Sequence, residues 1–141
     1  MFAALPLLAL PVLAYNLIAL SWDGGFSAID APMRLTQQLF KIRMSSNVDW
    51  PVSLGDLLLA ASLVVLFIEL LKATTSRGLA IVNHSLSMIL FIVCLVEFLL
   101  APAFATSTFC LLTLMVLLDV LAGFIVTIVA ARRDVDFVDA G

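Results

Sequence analysis

Long apolar runs restrict what this chain can fold into more than any other feature. A helix needs about 20 apolar residues to cross the hydrocarbon core of a bilayer. Runs of that kind cover residues 2–22, 54–72, 79–101 and about 107–131. Apolar residues make up 64% of the 141, charged residues 12%, and the mean hydropathy is +1.22. An ordinary soluble domain is about 45–50% apolar and about 25% charged. A chain of this size has too little interior to hide the difference from water. A soluble globular domain, a disordered chain and a nucleic-acid binder are therefore excluded. The expected fold is all-α: one transmembrane domain over residues 1–141, built as an up-down bundle of four helices.

The connections constrain how the runs pack. Residues 73–78 and 102–106 are short links, which force antiparallel neighbours. The first connection, 23–53, is long for a compact bundle. Asp23-Gly24-Gly25 opens it with a turn signal. Asp30 can cap a helix that starts at Pro32. Leu35, Leu39 and Ile42 then recur at helical spacing beside Phe40, with Arg34, Gln37, Gln38 and Lys41 on or near the other side. This predicts an amphipathic helix over about 32–44, lying at the membrane surface or against the end of the bundle.

Basic residues set the expected orientation. Lys72 and Arg77 follow the second run, and Arg132 and Arg133 follow the fourth. Four crossings put both segments on one side, so both termini are expected in the cytoplasm. Arg34, Lys41 and Arg43 oppose this mildly from the long connection. Trp22 and Trp50 then mark the other interface, where indole rings prefer to sit. Residues 1–22 carry no Lys or Arg, which fits a retained span better than a secretory signal. Residues 132–139 read as a short frayed end.

Charged groups inside apolar runs are the candidate functional residues. Asp56 has a simpler reading: Ser53-Leu54-Gly55-Asp56 is a capping box. Glu69 and Lys72 form an (i, i+3) pair at the cytoplasmic end of the second run. Glu97 and Asp119 are harder to assign to structure alone, because a charge at a helix centre costs about 2.5–3.5 kcal/mol on insertion. At about 100° per residue, Asn83, Ser87, Leu90, Cys94 and Glu97 fall in a stripe about 80° wide. Thr108, Leu112, Met115, Asp119, Gly123 and Ala130 form another, in which the small residues permit close helix contact. The candidate intramembrane polar site is thus Asp119, Glu97, Asn83, Ser87 and Thr108.

Two chemistries fit that site. One is polar adhesive: hydroxyls, an amide and protonated acids holding helices in register. The other is a proton or cation path with Asp119 and Glu97 as stepping groups. The two acids differ in depth by most of half a membrane, so water or hydroxyls would have to connect them. Glu69 and His84 form a secondary candidate, at similar depth and joined by a hydrogen bond. Histidine titrates near pH 6.5 when unperturbed, which would permit pH sensing.

Cys94 and Cys110 lie at similar depths, but Cys110 is about 180° around its helix from Asp119. They are expected to be free, inert thiols. With one histidine and no metal-ligand spacing, neither a metal nor a cofactor is expected. No nucleophile elbow, zinc-protease or phosphate-loop motif is present.

Two stretches carry a resemblance. Trp50-Pro51-Val52-Ser53-Leu54-Gly55-Asp56-Leu57-Leu58-Leu59, with Phe67-Ile68-Glu69-Leu70-Leu71-Lys72, is one. Asn83-His84-Ser85-Leu86-Ser87, with Leu95-Val96-Glu97-Phe98-Leu99, is the other. They resemble a group of small, uncharacterised four-span inner-membrane proteins of proteobacteria. The resemblance covers the second to fourth runs and implies a bacterial inner membrane as the address; it implies no activity, cofactor or site.

Small size, absent catalytic motifs and a close-packing face favour a non-enzymatic accessory or assembly subunit of an inner-membrane complex. Its expected partners are lipid and either further copies or another membrane subunit. The rival is a small oligomeric channel or proton-coupled transporter using Asp119 and Glu97. A third reading is an enzyme acting on lipid or quinone through His84 and Glu69.

Overall fold

A computed structural model describes residues 5–75 and 80–139, with side chains placed over 5–72 and 82–129. Arg77 and the side chains of Arg132 and Arg133, on which the expected orientation rests, lie outside the described residues. So do residues 2–4 of the first run.

The described residues are mostly helical, with one β-hairpin. Helix α1 covers Ala9–Leu20, α2 Ala31–Thr36, α3 Leu54–Thr75, α4 Ala80–Leu100 and α5 Ser107–Asp139. Strands β1 (Gln38–Arg43) and β2 (Asp49–Ser53) lie between α2 and α3. Among the described residues three helices are long and apolar enough to cross a membrane, over Leu54–Lys72, Val82–Leu100 and Ser107–Val129. These match the second, third and fourth runs.

The first run departs from expectation. Its helix has 12 residues, about 18 Å of rise against a hydrocarbon core of about 30 Å. Pro6 and Pro11 explain the late start, since neither offers an N–H to a preceding turn. Yet the segment contacts both ends of the bundle. The Leu5 carbonyl accepts a bond from Lys72 near the end of α3 (2.9 Å), and the Tyr15 hydroxyl reaches the Ala103 carbonyl ahead of α5 (3.0 Å).

The amphipathic helix expected over 32–44 is not there. Helix α2 stops at Thr36, whose hydroxyl bonds back to the Pro32 carbonyl (2.9 Å), and Gln37 turns to extended geometry. Asp30 holds the N-cap position, but its carboxylate pairs with Arg34 Nε at 2.6 Å rather than capping. The residues beyond form an antiparallel hairpin, with Phe40 opposite Val52, Ile42 opposite Trp50 and Arg43 opposite Asp49. Phe40, Ile42, Trp50 and Val52 alternate with polar or proline positions, so period two fits as well as helical spacing does. Pairing with residues 49–53, distant in sequence, decides between them. Asn47 closes the turn with φ +61°, a conformation asparagine tolerates.

Within the bundle, α5 packs against both α3 and α4, while α1 lies against α3 and α5. An aromatic cluster sits at the α1–α5 end. Tyr15, Phe104 and Phe109 are fully buried there, with ring centroids 4.7–5.3 Å apart. The 3₁₀ turn Pro102–Phe104 delivers Phe104 to this cluster. Helix α3 begins as the capping box predicts: Ser53 N–H donates to Asp56 (2.9 Å), and Asp56 N–H donates to the Ser53 hydroxyl (3.2 Å). The expected frayed end is instead helix, since α5 continues to Asp139.

Gly123 makes the close α4–α5 contact. A Cβ added there would overlap the His84 imidazole, which also meets Phe124 edge to face at 4.6 Å. Overpacking of this kind costs about 1–3 kcal/mol. Gly123→Ala is therefore expected to lower the unfolding midpoint in detergent, and adding His84→Ala to restore much of it. An unchanged midpoint for Gly123→Ala would show that the helices do not meet this closely.

Candidate functional site

The polar groups that link one segment of the bundle to another fall into two clusters separated by mainly apolar packing. The first lies where α3 ends and α4 begins. Glu69 is fully buried. It accepts hydrogen bonds from the Leu7 backbone N–H, from Asn83 Nδ2 (2.8 Å) and from Lys72 Nζ (3.5 Å). Lys72 also donates to the Leu5 carbonyl and to Asn83 Oδ1 (3.3 Å). Leu7 lies just ahead of α1, so the carboxylate sits where unpaired helix N–H groups and the positive helix end favour an anion.

One turn deeper, the Ser87 hydroxyl lies 2.6 Å from Asp119 Oδ2 and 3.1 Å from the Asn83 carbonyl. Ser87 and Asp119 are both buried. A serine hydroxyl has one hydrogen. If it goes to the Asn83 carbonyl, a protonated Asp119 donates to Ser87 and every partner is satisfied. If Asp119 is ionised, it takes the hydrogen and the Asn83 carbonyl loses it. Among the described residues no cation lies within ion-pairing distance of Asp119.

The second cluster is at the other end. Asn16 Nδ2 donates to the Val12 carbonyl (3.1 Å) and, at 3.4 Å, to Glu97 Oε2. The Tyr15 hydroxyl lies 2.7 Å from the Thr106 hydroxyl, which also accepts from the Phe109 N–H. Buried Cys94, Leu112, Met115 and Val116 belong to one apolar core cluster. By position along α4 and α5 they fall between Ser87–Asp119 and Glu97. Buried Ser62 and Thr113 bond back to their own helices, at Leu58 and Phe109.

Of the five residues expected to share one interior, Asn83, Ser87 and Asp119 come together. Glu97 does not join them; about ten residues of α4 separate it from Ser87, some 15 Å of rise. Thr108 stands at the contact between the starts of α3 and α5, where a Cβ on Gly55 would lie 2.7 Å from its hydroxyl.

The expected Glu69–His84 bond is replaced by Glu69–Asn83. His84, a neighbour about 100° around α4, faces Gly123 instead, and its Nε2 is buried without a hydrogen-bond partner. Both cysteines are free, and Cys110 lines an open cleft of about 500 Å³ with Phe98, Thr106 and Leu111. Among the described residues no three His, Cys, Asp or Glu side chains converge as a metal ligand set.

Sequence reasoning missed the Tyr15–Thr106 bond and the partners of Asn16. A signal existed: a tyrosine hydroxyl or an amide inside an apolar run requires a partner once buried.

Fold and site together define a small chain with three helices suited to crossing a membrane and its interior acids bonded to its own donors. No family model, curated protein or solved structure matches it.

Glu69 is fully buried while its partner Lys72, 3.5 Å away, is 22% exposed; removing the ammonium leaves a buried charge less compensated, at a cost of at most about 3–5 kcal/mol. Lys72→Met is therefore expected to lower the unfolding midpoint strongly. Glu69→Gln added to it should recover most of the loss, because a neutral amide no longer needs the ammonium. Thermal unfolding in detergent checks the order; equal loss in the single and double variants would remove the ion pair from the account.

Proposed function

We infer that this chain is a small, non-enzymatic multi-pass membrane protein acting as an accessory or assembly subunit of a bacterial inner-membrane complex. The observation supporting this is that Glu69, Glu97 and Asp119 each bond to a group from another segment of the same chain. Acids used in this way hold helices in register. Between Asp119 and Glu97 the core is mainly apolar, and the buried Ser62 and Thr113 hydroxyls bond back to their own helices rather than to either acid, which also favours adhesion over a continuous path. The bacterial address comes from the resemblance of the second to fourth runs, and the cytoplasmic side of the α3–α4 link and of the C-terminal end from Lys72, Arg77, Arg132 and Arg133.

A second reading, an oligomeric proton-coupled transporter, draws on Asp119 alone. It is buried, bonded to one hydroxyl and, among the described residues, without a cation at ion-pairing distance, as a group that exchanges protons would be.

Native mass measurement of tagged protein from its own host, in nanodiscs and with co-purifying chains identified, separates the two. A stoichiometric second chain that remains with Asp119→Asn is the expected result. Asparagine keeps the hydrogen bond to Ser87 and removes the titration. A homogeneous homo-oligomer whose liposome proton flux disappears with Asp119→Asn would overturn the subunit reading.

A further inference from the structure

The hairpin presents two chemically opposite faces. Strand alternation places Phe40, Ile42, Trp50 and Val52 on one side, and Lys41, Pro51, Arg43 and Asp49 on the other. The next pair, joined by the Met44 N–H to Val48 carbonyl bond (2.9 Å), extends the apolar side by Met44 and Val48. Of these six apolar side chains, only Val52, beside the start of α3, is buried (3% exposed); the others are 41–63% exposed.

We propose that this apolar face lies along the membrane interface, in contact with phospholipid at the boundary between headgroups and acyl chains. The inference rests on α3 crossing the membrane, and not on the chain being a subunit of a complex.

Three observations select lipid as the occupant. First, β2 passes into α3 with no residue between them. Trp50 is therefore held four positions from the first residue of a membrane-crossing helix. An upright hairpin would lift Trp50 about 14 Å above that residue. The headgroup layer is only about 5–8 Å thick on each side. Lying flat returns the indole to the depth it prefers.

Second, the face is too small for a protein partner alone. Five residue positions and two strands give a footprint of about 17 by 10 Å, or about 170 Å². A standard protein interface buries about 800 Å² on each partner.

Third, the edges discourage a second sheet. Pro51 cannot donate, so its pair with Lys41 is a non-bonded one and its missing N–H lies on the outer edge of β2. The outer edge of β1 carries Lys41 and Arg43, and cations at an edge oppose strand addition. Unpaired edge groups need water, which the interface supplies and the hydrocarbon core does not. From the polar face Lys41 and Arg43 can reach lipid phosphates.

The test uses the full chain in phosphatidylcholine–phosphatidylglycerol vesicles. The chain has two tryptophans, so Trp22→Phe leaves Trp50 as the reporter. The expected result is blue-shifted emission, loss of intensity with lipids brominated near the glycerol end, weaker loss with bromines deep in the chains, and protection from acrylamide. Phe40→Asp with Ile42→Asp should shift the emission to the red and restore acrylamide quenching. Water-like emission of Trp50 in the otherwise unchanged face, quenched by acrylamide and untouched by bromolipids, would overturn the proposal. So would protection from both quenchers, because protein would then cover the face. A companion chain with Trp22→Phe, Trp50→Phe and Leu63→Trp tests the span itself. If that indole escapes deep bromines, the crossing of α3 fails; if it is quenched while Trp50 is not, only the hairpin's placement fails.

Discussion

The fully buried carboxylate of Glu69 is the interaction on which the arrangement of the chain depends. It belongs to α3, yet its partners are the backbone ahead of α1, the amide of Asn83 on α4 and the ammonium of Lys72. The bond to Leu7 N–H sets the height of α1 against the bundle. That is why a helix too short to cross a bilayer still brings Tyr15 to Thr106 and Asn16 to Glu97 at the far end. An apolar contact at the same position would permit axial sliding. A buried acceptor with directional donors does not, because slippage leaves it unsatisfied at a cost of about 1–3 kcal/mol or more.

Asn83 carries this constraint inward. Its side chain faces Glu69 and Lys72, and its carbonyl meets the Ser87 hydroxyl one turn on, which meets Asp119 on α5. The apolar contact beside it is equally specific: the missing side chain of Gly123 leaves the space that His84 fills. Helices in lipid gain little from burying apolar surface against each other, since lipid is equally apolar. Polar bonds and close approach must set their register, and α4 supplies one of each from the adjacent residues Asn83 and His84.

The helical part of this was legible in the sequence because its signals are local. Run length located α3, α4 and α5, Ser53 and Asp56 marked the start of α3, and the 3.6-residue period put Asn83 and Ser87 on the face that meets Asp119. What stayed hidden depends on residues distant in sequence. Residues 38–43 have a helical and a strand reading of similar quality, and only pairing with 49–53 settles it. The choice of Asn83 over His84 for Glu69 is a matter of about 100° of helix rotation. Depth alone allows both, and Gly123 decides by offering the imidazole a place. The shortness of α1 follows from Pro6 and Pro11, which hydropathy counts as harmless.

The distribution of satisfied and unsatisfied groups then says where function is to be sought. Inside the bundle, carboxylates, hydroxyls and amides are spent on one another or on backbone groups of the same chain, and mainly apolar residues fill the space between the two polar clusters. The hairpin is the opposite case: an ordered element with five exposed apolar side chains on one face. Two-stranded ribbons are marginal in water without something on their apolar face. The bundle covers only Val52, so the rest of that face draws its stability from the medium around it. A lipid interface provides such a medium without a dedicated partner, and it would anchor the start of α3 laterally while Glu69 anchors its end. Held at both ends, α3 becomes the fixed element against which α1, α4 and α5 are arranged.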